Sequence, residues 1–337
     1  MRILVTGGSG FIGSALIRRI ISKTDDEVIN LDDLTYSSVK NVHDNLLQNK
    51  RYAFEKGNVC DKNFLHNLLE KYKPNIIMNL AAETHVDNSI NGPEKFLQTN
   101  IIGTYTLLQV CMNYWKGLNK SNQNQFKFLQ VSTDEVFGDL ELNEKKFSES
   151  NPYNPSSPYA ATKASADHLV RAWGRTYNFP YLISNCSNNF GPFQHSEKLI
   201  PKIILNAIRG LKIPIYGNGM QIRDWLFVDD HADALLCIIK KSPIKESYNI
   251  GTNNEHTNIK ITHLICEILD NICPQKDEKI ISYKDLIVHV NDRPGHDKRY
   301  AIDASKIYKK LKWRPSHNFL DRLKQTVEWY IANQFMF

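Results

Sequence analysis

The chain has 337 residues, 42% of them hydrophobic, with 42 Lys and Arg against 36 Asp and Glu, a formal net charge of +6. That length allows one large or two unequal domains with an ample core, and the composition is that of a soluble globular protein. The small positive balance, with no basic tract interleaved with aromatics, excludes a nucleic-acid-binding design, and no apolar run reaches the roughly 18 residues of a membrane span.

The six cysteines are scattered without a Cys-x-x-Cys pair, and the eleven histidines lack ligand spacing. Reduced core cysteines are therefore expected, with no metal site and a cytoplasmic location. Met1 runs almost directly into an apolar strand, so no leader peptide is expected.

In chain order, Arg2-Ile-Leu-Val-Thr-Gly-Gly-Ser-Gly-Phe-Ile-Gly13 reads as a strand, a glycine turn and a helix start. Gly7, Gly10 and Gly13 would let the backbone turn tightly against a pyrophosphate seated on the helix N-terminus. The strand Val28 to Leu31 ends in Asp32, about 20 residues beyond the last glycine, where a carboxylate binds ribose hydroxyls and repels a 2′-phosphate. NAD is thus the expected cofactor. Strand and helix then alternate: Tyr52 to Glu55, Phe64 to Tyr72, and Ile76 to Leu80 followed by the small residues Ala81 and Ala82, with Thr84 at the rim. A long helix from Phe96 to Trp115 is apolar on more than one face, as suits packing on a sheet and on a partner subunit.

The apolar run Phe126 to Val131 stops abruptly on Ser132, Thr133, Asp134 and Glu135. Polar groups just past the carboxyl end of a parallel strand face the ligand crevice of an open α/β sheet. A hydroxyl beside two acids suits proton transfer, since one acid can give a proton while the other takes one. Tyr159 and Lys163 stand four apart, on one helix face, where an ammonium is expected to lower the phenol's pKa. From Asn185 the pattern loosens into shorter elements: a strand at Tyr181 to Ser184, a helix opening at Lys198 to Pro201, a strand at Pro214 to Tyr216, and Ile222 to Asp230 as a strand entering a helix through Asp229 and Asp230 as caps. Tyr248 to Gly251 reads as a strand returning to the main sheet, Thr262 to Ile272 as a helix, and Phe319 to Asn333 as a terminal helix.

Together, the glycine turn, Asp32, Thr133 and Tyr159-x-x-x-Lys163 resemble the extended short-chain dehydrogenase/reductase family, from Met1 to about Tyr330. Thr133-Asp134-Glu135 narrows the resemblance to the nucleoside-diphosphate-glucose 4,6-dehydratases, supported by Ala82-Glu-Thr-His-Val-Asp87, Ser157 to Ser165, Asn185 to Pro192 and Asp292 to Asp297. The resemblance implies a Rossmann-type doubly wound parallel sheet over residues 1–187, with 217–251 returning to it. Residues 188–337 would form mainly a smaller mixed α/β nucleotide-sugar domain. It implies a hydro-lyase that converts dTDP-glucose to dTDP-4-keto-6-deoxyglucose for rhamnose and other deoxysugars, as a homodimer with retained NAD.

The implied catalytic residues are Thr133, Asp134, Glu135, Tyr159 and Lys163. The expected NAD site comprises Gly7, Gly10, Phe11, Ile12, Gly13, Asp32, Asp33, Leu34, Thr35, Asn58, Val59, Leu80, Ala81, Ala82, Thr99, Tyr159, Lys163 and Asn189. The expected substrate site comprises Thr84, Thr133, Asn188, Lys198, Leu199, Pro214, Ile215, Tyr216, Arg223, Asn258, Arg293 and His296. UDP-glucose as substrate, a nucleotide-sugar 4-epimerase or decarboxylase, and a catalytically idle NAD-binding regulator are the alternatives. Asp134 separates the dehydratase from the epimerase, because epimerisation expels no 6-hydroxyl. Departures from the family pattern fall at Ser37-Ser38-Val39-Lys40, near the adenosine, and at two expected surface loops, Asn143 to Ser150 and Pro274 to Asp285.

Overall fold

A computed structural model of the chain describes residues 1–39, 43–274, 281–316 and 318–336. Lys40 and residues 275–280 of the expected loop lie outside them; that loop's end forms a 3₁₀ turn, Tyr283–Leu286. The N-terminal part runs β1 (Arg2–Thr6), α1 (Phe11–Lys23), β2 (Glu27–Asp32), β3 (Tyr52–Lys56), α2 (Lys62–Tyr72), β4 (Ile76–Asn79), α3 (Val86–Asn91), α4 (Glu94–Phe96), α5 (Thr104–Gly117), α6 (Lys120–Gln125) and β5 (Lys127–Thr133). It continues through α7 (Pro158–Tyr177), β6 (Tyr181–Cys186), β7 (Asn188–Phe190), α8 (Leu199–Ile208), β8 (Ile213–Tyr216), β9 (Ile222–Phe227), α9 (Val228–Lys241) and β10 (Glu246–Ile250). The last elements are β11 (Glu255–Thr257), α10 (Asn258–Ile272), β12 (Ile287–Val290), α11 (Ser305–Leu311) and α12 (Phe319–Ala332).

Seven strands form one parallel sheet in the order β10-β6-β5-β4-β1-β2-β3. The chain builds outward in one direction from β1 and then in the other from β4, so a crevice opens at the carboxyl ends of these two strands. Alternation along β1 sends Ile3 and Val5 to one face, against Leu16, Ile17 and Ile20 of α1, and Leu4 to the other, with Phe128, Leu107 and Phe179. Both faces are covered by helices, the condition under which parallel strands read as continuous apolar runs. Two smaller sheets, β11-β9-β7 and β12-β8, enclose a third core with α8, α10 and α12.

Three local expectations are revised. Tyr248 to Ile250 does return to the main sheet, as β10 beside β6, and α9 packs on α1, but β9 belongs to the small sheet, between β7 and β11. Asp229 and Asp230 do not cap α9; Phe227 is its N-cap residue and the two acids lie in the first turn, where they still complement the helix dipole. The helix expected over Phe96 to Trp115 is not continuous, because Leu97–Gly103 winds as a π-helix between α4 and α5. There Gly103 sits so close to Val59 that a Cβ would lie 2.7 Å from its side chain. Among the described residues, no helix is long and apolar enough to cross a membrane.

Phe179 is fully buried, with ring centres 5.7 to 6.0 Å from Phe128, Trp115 and Phe126. Phe179→Ala is expected to lower unfolding stability by about 3–5 kcal/mol, read by urea denaturation; a loss below about 1 kcal/mol would show that this aromatic cluster is not a keystone of the core.

Candidate active site

One cleft runs along the carboxyl ends of the central strands. At its floor, Gly7 adopts φ +70°, and a Cβ there would sit 2.8 Å from the Ala81 amide nitrogen after β4. A Cβ on Gly13 would lie 2.2 Å from the Gly7 carbonyl oxygen. Both positions therefore require glycine, and the turn stays low enough for the first-turn amides of α1 to face the cleft. The Asp32 carboxylate at the end of β2 is aimed by three donors: the Ser9 amide (2.9 Å), the Leu34 amide (2.8 Å) and the Ser38 hydroxyl (3.1 Å). Asn58 donates to Asp33 at 2.8 Å. Anion-binding amides, ribose-directed acid and flat glycine floor fit a dinucleotide.

Next to this floor stands the polar end of β5. Thr133 and Asp134 are buried, and the Thr133 hydroxyl lies 3.4 Å from Asp134 Oδ1 and accepts from the Glu135 amide at 3.3 Å. Burial raises the Asp134 carboxyl well above the usual range, and the charges of Glu135 and Asp224 push it the same way. Its Oδ2 has no hydrogen-bond partner. Burial raises Glu135 too, but Arg223, Arg293 and Lys198 pull it back toward the carboxylate. Burial thus raises both acids, and the neighbouring charge differs, mainly acidic at Asp134 and mainly cationic at Glu135.

Helix α7 supplies the third side. Ser157 caps it through the Ala160 amide (3.1 Å), Pro158 opens it, and Asn178 ends it in a left-handed conformation. The Tyr159 amide donates to Ser89 Oγ of α3 at 3.2 Å, and its ring stands edge-on to Phe96. Tyr159 and Lys163 do share a face, yet the Lys163 ammonium donates to the Val131 carbonyl at 2.8 Å. The phenol is raised well above its ordinary value by burial, then by Glu135, Cys186 and Asp134, with the Thr133 hydroxyl opposing. The expected lowering of Tyr159 by the lysine is therefore corrected: desolvation outweighs it, and the ammonium is spent on a backbone oxygen.

Lys198, at the N-terminus of α8, reaches across to the Thr84 carbonyl at 2.9 Å and closes the cleft opposite the acids. Beyond it lies a second wall built on Asp87, which accepts from Tyr216 Oη (3.0 Å) and Arg293 Nη1 (2.8 Å). His296 pairs with Asp292 at 2.6 Å and stands edge-on to Tyr216. Arg223 is buried against the Tyr300 ring and donates to the Asp297 carbonyl at 2.9 Å.

These distances acquire a name from one comparison. Over 99% of its length, the chain is 54% identical to the dTDP-glucose 4,6-dehydratase of Haemophilus influenzae, covering 98% of that protein. The chain belongs to the dTDP-glucose 4,6-dehydratase family. A relative from Escherichia coli K12, dTDP-glucose 4,6-dehydratase 1, is 50% identical over 99% of this chain and 93% of its own. The broader family model matching residues 4–326 is described as GDP-mannose 4,6 dehydratase. A solved dTDP-glucose 4,6-dehydratase from Streptomyces venezuelae, described with NAD and TYD bound, superposes with a TM-score of 0.89 at 38% identity, covering 99% and 98% of the two chains. A UDP-glucose 4-epimerase from Thermotoga maritima reaches a TM-score of 0.84 at 28% identity, over 99% of this chain and 100% of its own. The fold is thus common to proteins named for both chemistries.

Of the residues expected at the cofactor, all but Leu34 line the one cleft, together with Thr84, Asn188 and Lys198 and the five catalytic candidates. Leu34 is instead a turn residue, φ 55°, that serves through its amide on Asp32. Ile215 is 1% exposed and its side chain joins the small core, where Leu199 also packs, so neither offers a side chain to the cleft. Pro214, Tyr216, Arg223, Asn258, Arg293 and His296 lie outside this cleft's lining; most of them form the adjoining wall, and Asn258 Oδ1 and Arg293 Nε are buried without partners. Sequence reading missed Glu83, Cys186, Gln194, His195 and Glu197, which also line the cleft, and the bracket role of Asp87. Glu83 and Asp87 sit inside the Ala82–Asp87 stretch, whose dense run of charged and polar types was the available signal.

Gly13→Ala is expected to abolish copurification of NAD while leaving a folded chain. Retained stoichiometric NAD in that variant would refute the tight approach of the glycine turn to the cofactor.

Proposed function

We propose that the chain catalyses the NAD-dependent 4,6-dehydration of dTDP-glucose to dTDP-4-keto-6-deoxyglucose, as a hydro-lyase. The observation that carries this reading is the acid pair of buried Asp134 and half-buried Glu135, beside Thr133 and Tyr159 at the end of β5, in a chain about half identical to enzymes of that name. NAD, when bound, supplies the acceptor that takes hydride from C4 and later returns it to C6.

Tyr159 takes the proton of the 4-hydroxyl as its phenolate, a form that the positive charge of a bound oxidised nicotinamide would favour against the burial that raises the phenol, and the Thr133 hydroxyl donates to the 4-oxygen as it gains charge. Lys163 stands one turn away, its amine donating to the Val131 carbonyl. The 4-ketone acidifies C5, and Glu135, kept toward its ionised form by three cationic side chains, removes that proton. Asp134, kept protonated by burial, gives its proton to the 6-hydroxyl, which departs as water. Glu135 returns its proton to C5, and the 4-hydroxyl proton held by Tyr159 passes through the Thr133 hydroxyl, which touches both, to restore the one Asp134 gave, so the net change is the loss of one water. Asn188, Lys198 and the wall of Tyr216, Arg293 and His296 are assigned to the sugar and diphosphate, with the guanidinium of Arg293 suited to phosphate oxygens.

In this reading residues 1–187, with 217–251 in part, carry the cofactor, and 188–337 carry most of the nucleotide-sugar site. Leu97, Ile102, Tyr105 and Tyr177 expose 43 to 48% of their surface along α5, the π-helix and α7, which supports a homodimer through these helices. Free cysteines support a cytoplasmic enzyme. Assaying dTDP-glucose and UDP-glucose in parallel tests the base; product from neither would overturn the dehydratase reading.

Glu135→Gln is expected to form NADH in a single turnover but to lose elimination by about 10²–10⁴-fold. Normal turnover would remove Glu135 from the role of base. The rate should follow a bell in pH. It falls on the acid side as Glu135 gains a proton, at a pH above the usual carboxylate range because its pKa is raised. It falls on the alkaline side as Asp134 loses its proton. In Asp134→Asn the alkaline limb belonging to this group should vanish along with most of the rate; an unchanged profile would assign that limb elsewhere.

A further inference from the structure

A second cavity, of about 560 Å³ and sharing no lining residue with the first, opens beside the β11-β9-β7 sheet. Its wall is aromatic, with Phe190, Trp225, Phe227 and Phe319. The first turns of three helices of 14, 15 and 14 residues reach it, through Asp230 of α9, Lys260 of α10 and Leu320 of α12. Such helix ends carry outward-facing amides and a positive partial charge.

The side chains add donors without acceptors. The indole N–H of Trp225, a residue 6% exposed, has no partner. The Asn254 carbonyl oxygen is taken up by His256 at 3.0 Å, which leaves its amide nitrogen unpartnered. Arg322 lies over the Phe227 ring at 4.7 Å, and its Nε is likewise unpaired. On the acidic side, Asp230 Oδ1 accepts from Ser316 through both the amide (3.0 Å) and the hydroxyl (2.7 Å). Among the described lining residues, Lys260 and Arg322 stand against Asp230. Buried donors without acceptors cost free energy that an acceptor-bearing ligand would recover.

We propose that this cavity binds a planar aromatic molecule bearing one anionic group. The ring lies against the aromatic wall, and the anion meets Arg322, Lys260 and the Trp225 N–H. The site stands apart from the catalytic reading and does not rest on it.

The test is a fluorescence titration of the full chain with 1-anilinonaphthalene-8-sulfonate, with and without saturating NAD and dTDP. One saturable site per chain is expected under both conditions, displaced by 4-hydroxybenzoate. Arg322→Gln and Lys260→Gln should each weaken binding about tenfold or more, with dehydration activity unchanged as the check on folding. Absence of saturable binding, displacement by dTDP, indifference to both substitutions, or displacement by inorganic phosphate but not by 4-hydroxybenzoate would each overturn the proposal.

Discussion

A carboxyl group sealed from water at the end of a central strand is the constraint on which the rest of this molecule turns. Asp134 is 2% exposed and one of its oxygens has no partner. Such a group costs free energy unless it stays neutral, so its proton is held by burial. That burial is possible because β5 lies between β4 and β6, with helices on both faces and α7 across its end. The same burial keeps Glu135 and Tyr159 responsive to one another, since charges interact strongly where water is excluded.

The cofactor floor and the acid pair come from one topological fact. β1, β4 and β5 are neighbours and parallel, so their carboxyl ends share an edge. Gly7, Ala81 and Thr133 follow those ends in turn, although far apart in the chain. The close approach of Gly7 to Ala81 sets the depth of the cleft, and the hydroxyl of Thr133 marks its reactive end. The loop entering α8 then brings Lys198 back over Thr84, tying the later part of the chain to the earlier.

Electrostatics divide the labour within this edge. Burial raises both acids first; Arg223, Arg293 and Lys198, all from the later half of the chain, draw Glu135 back, whereas Glu135 and Asp224 push Asp134 further up against Arg223. Two adjacent residues of the same chemical type are separated by the balance of charge around each, mainly acidic at Asp134 and mainly cationic at Glu135. The UDP-glucose 4-epimerase of the same fold at 28% identity illustrates that the scaffold carries other chemistry.

Local pattern was enough for the parallel sheet, the glycine turn, Asp32 and the Tyr159 and Lys163 spacing, because these depend on periodicity and on residue types with few structural substitutes. Ser157, Pro158 and Asn178 likewise mark the bounds of α7 through capping chemistry that acts within one turn. The sequence could not reveal that Lys163 rests on the Val131 carbonyl, that Leu97–Gly103 winds as a π-helix, or that Ile215 turns into the small core. Nor could it disclose Glu197 and His195 at the cleft or Asp87 between Tyr216 and Arg293. Spacing and chemical type determined which groups were present and which element held them. Burial and the neighbours brought in from distant segments, which only the packed structure decides, set their protonation and their partners.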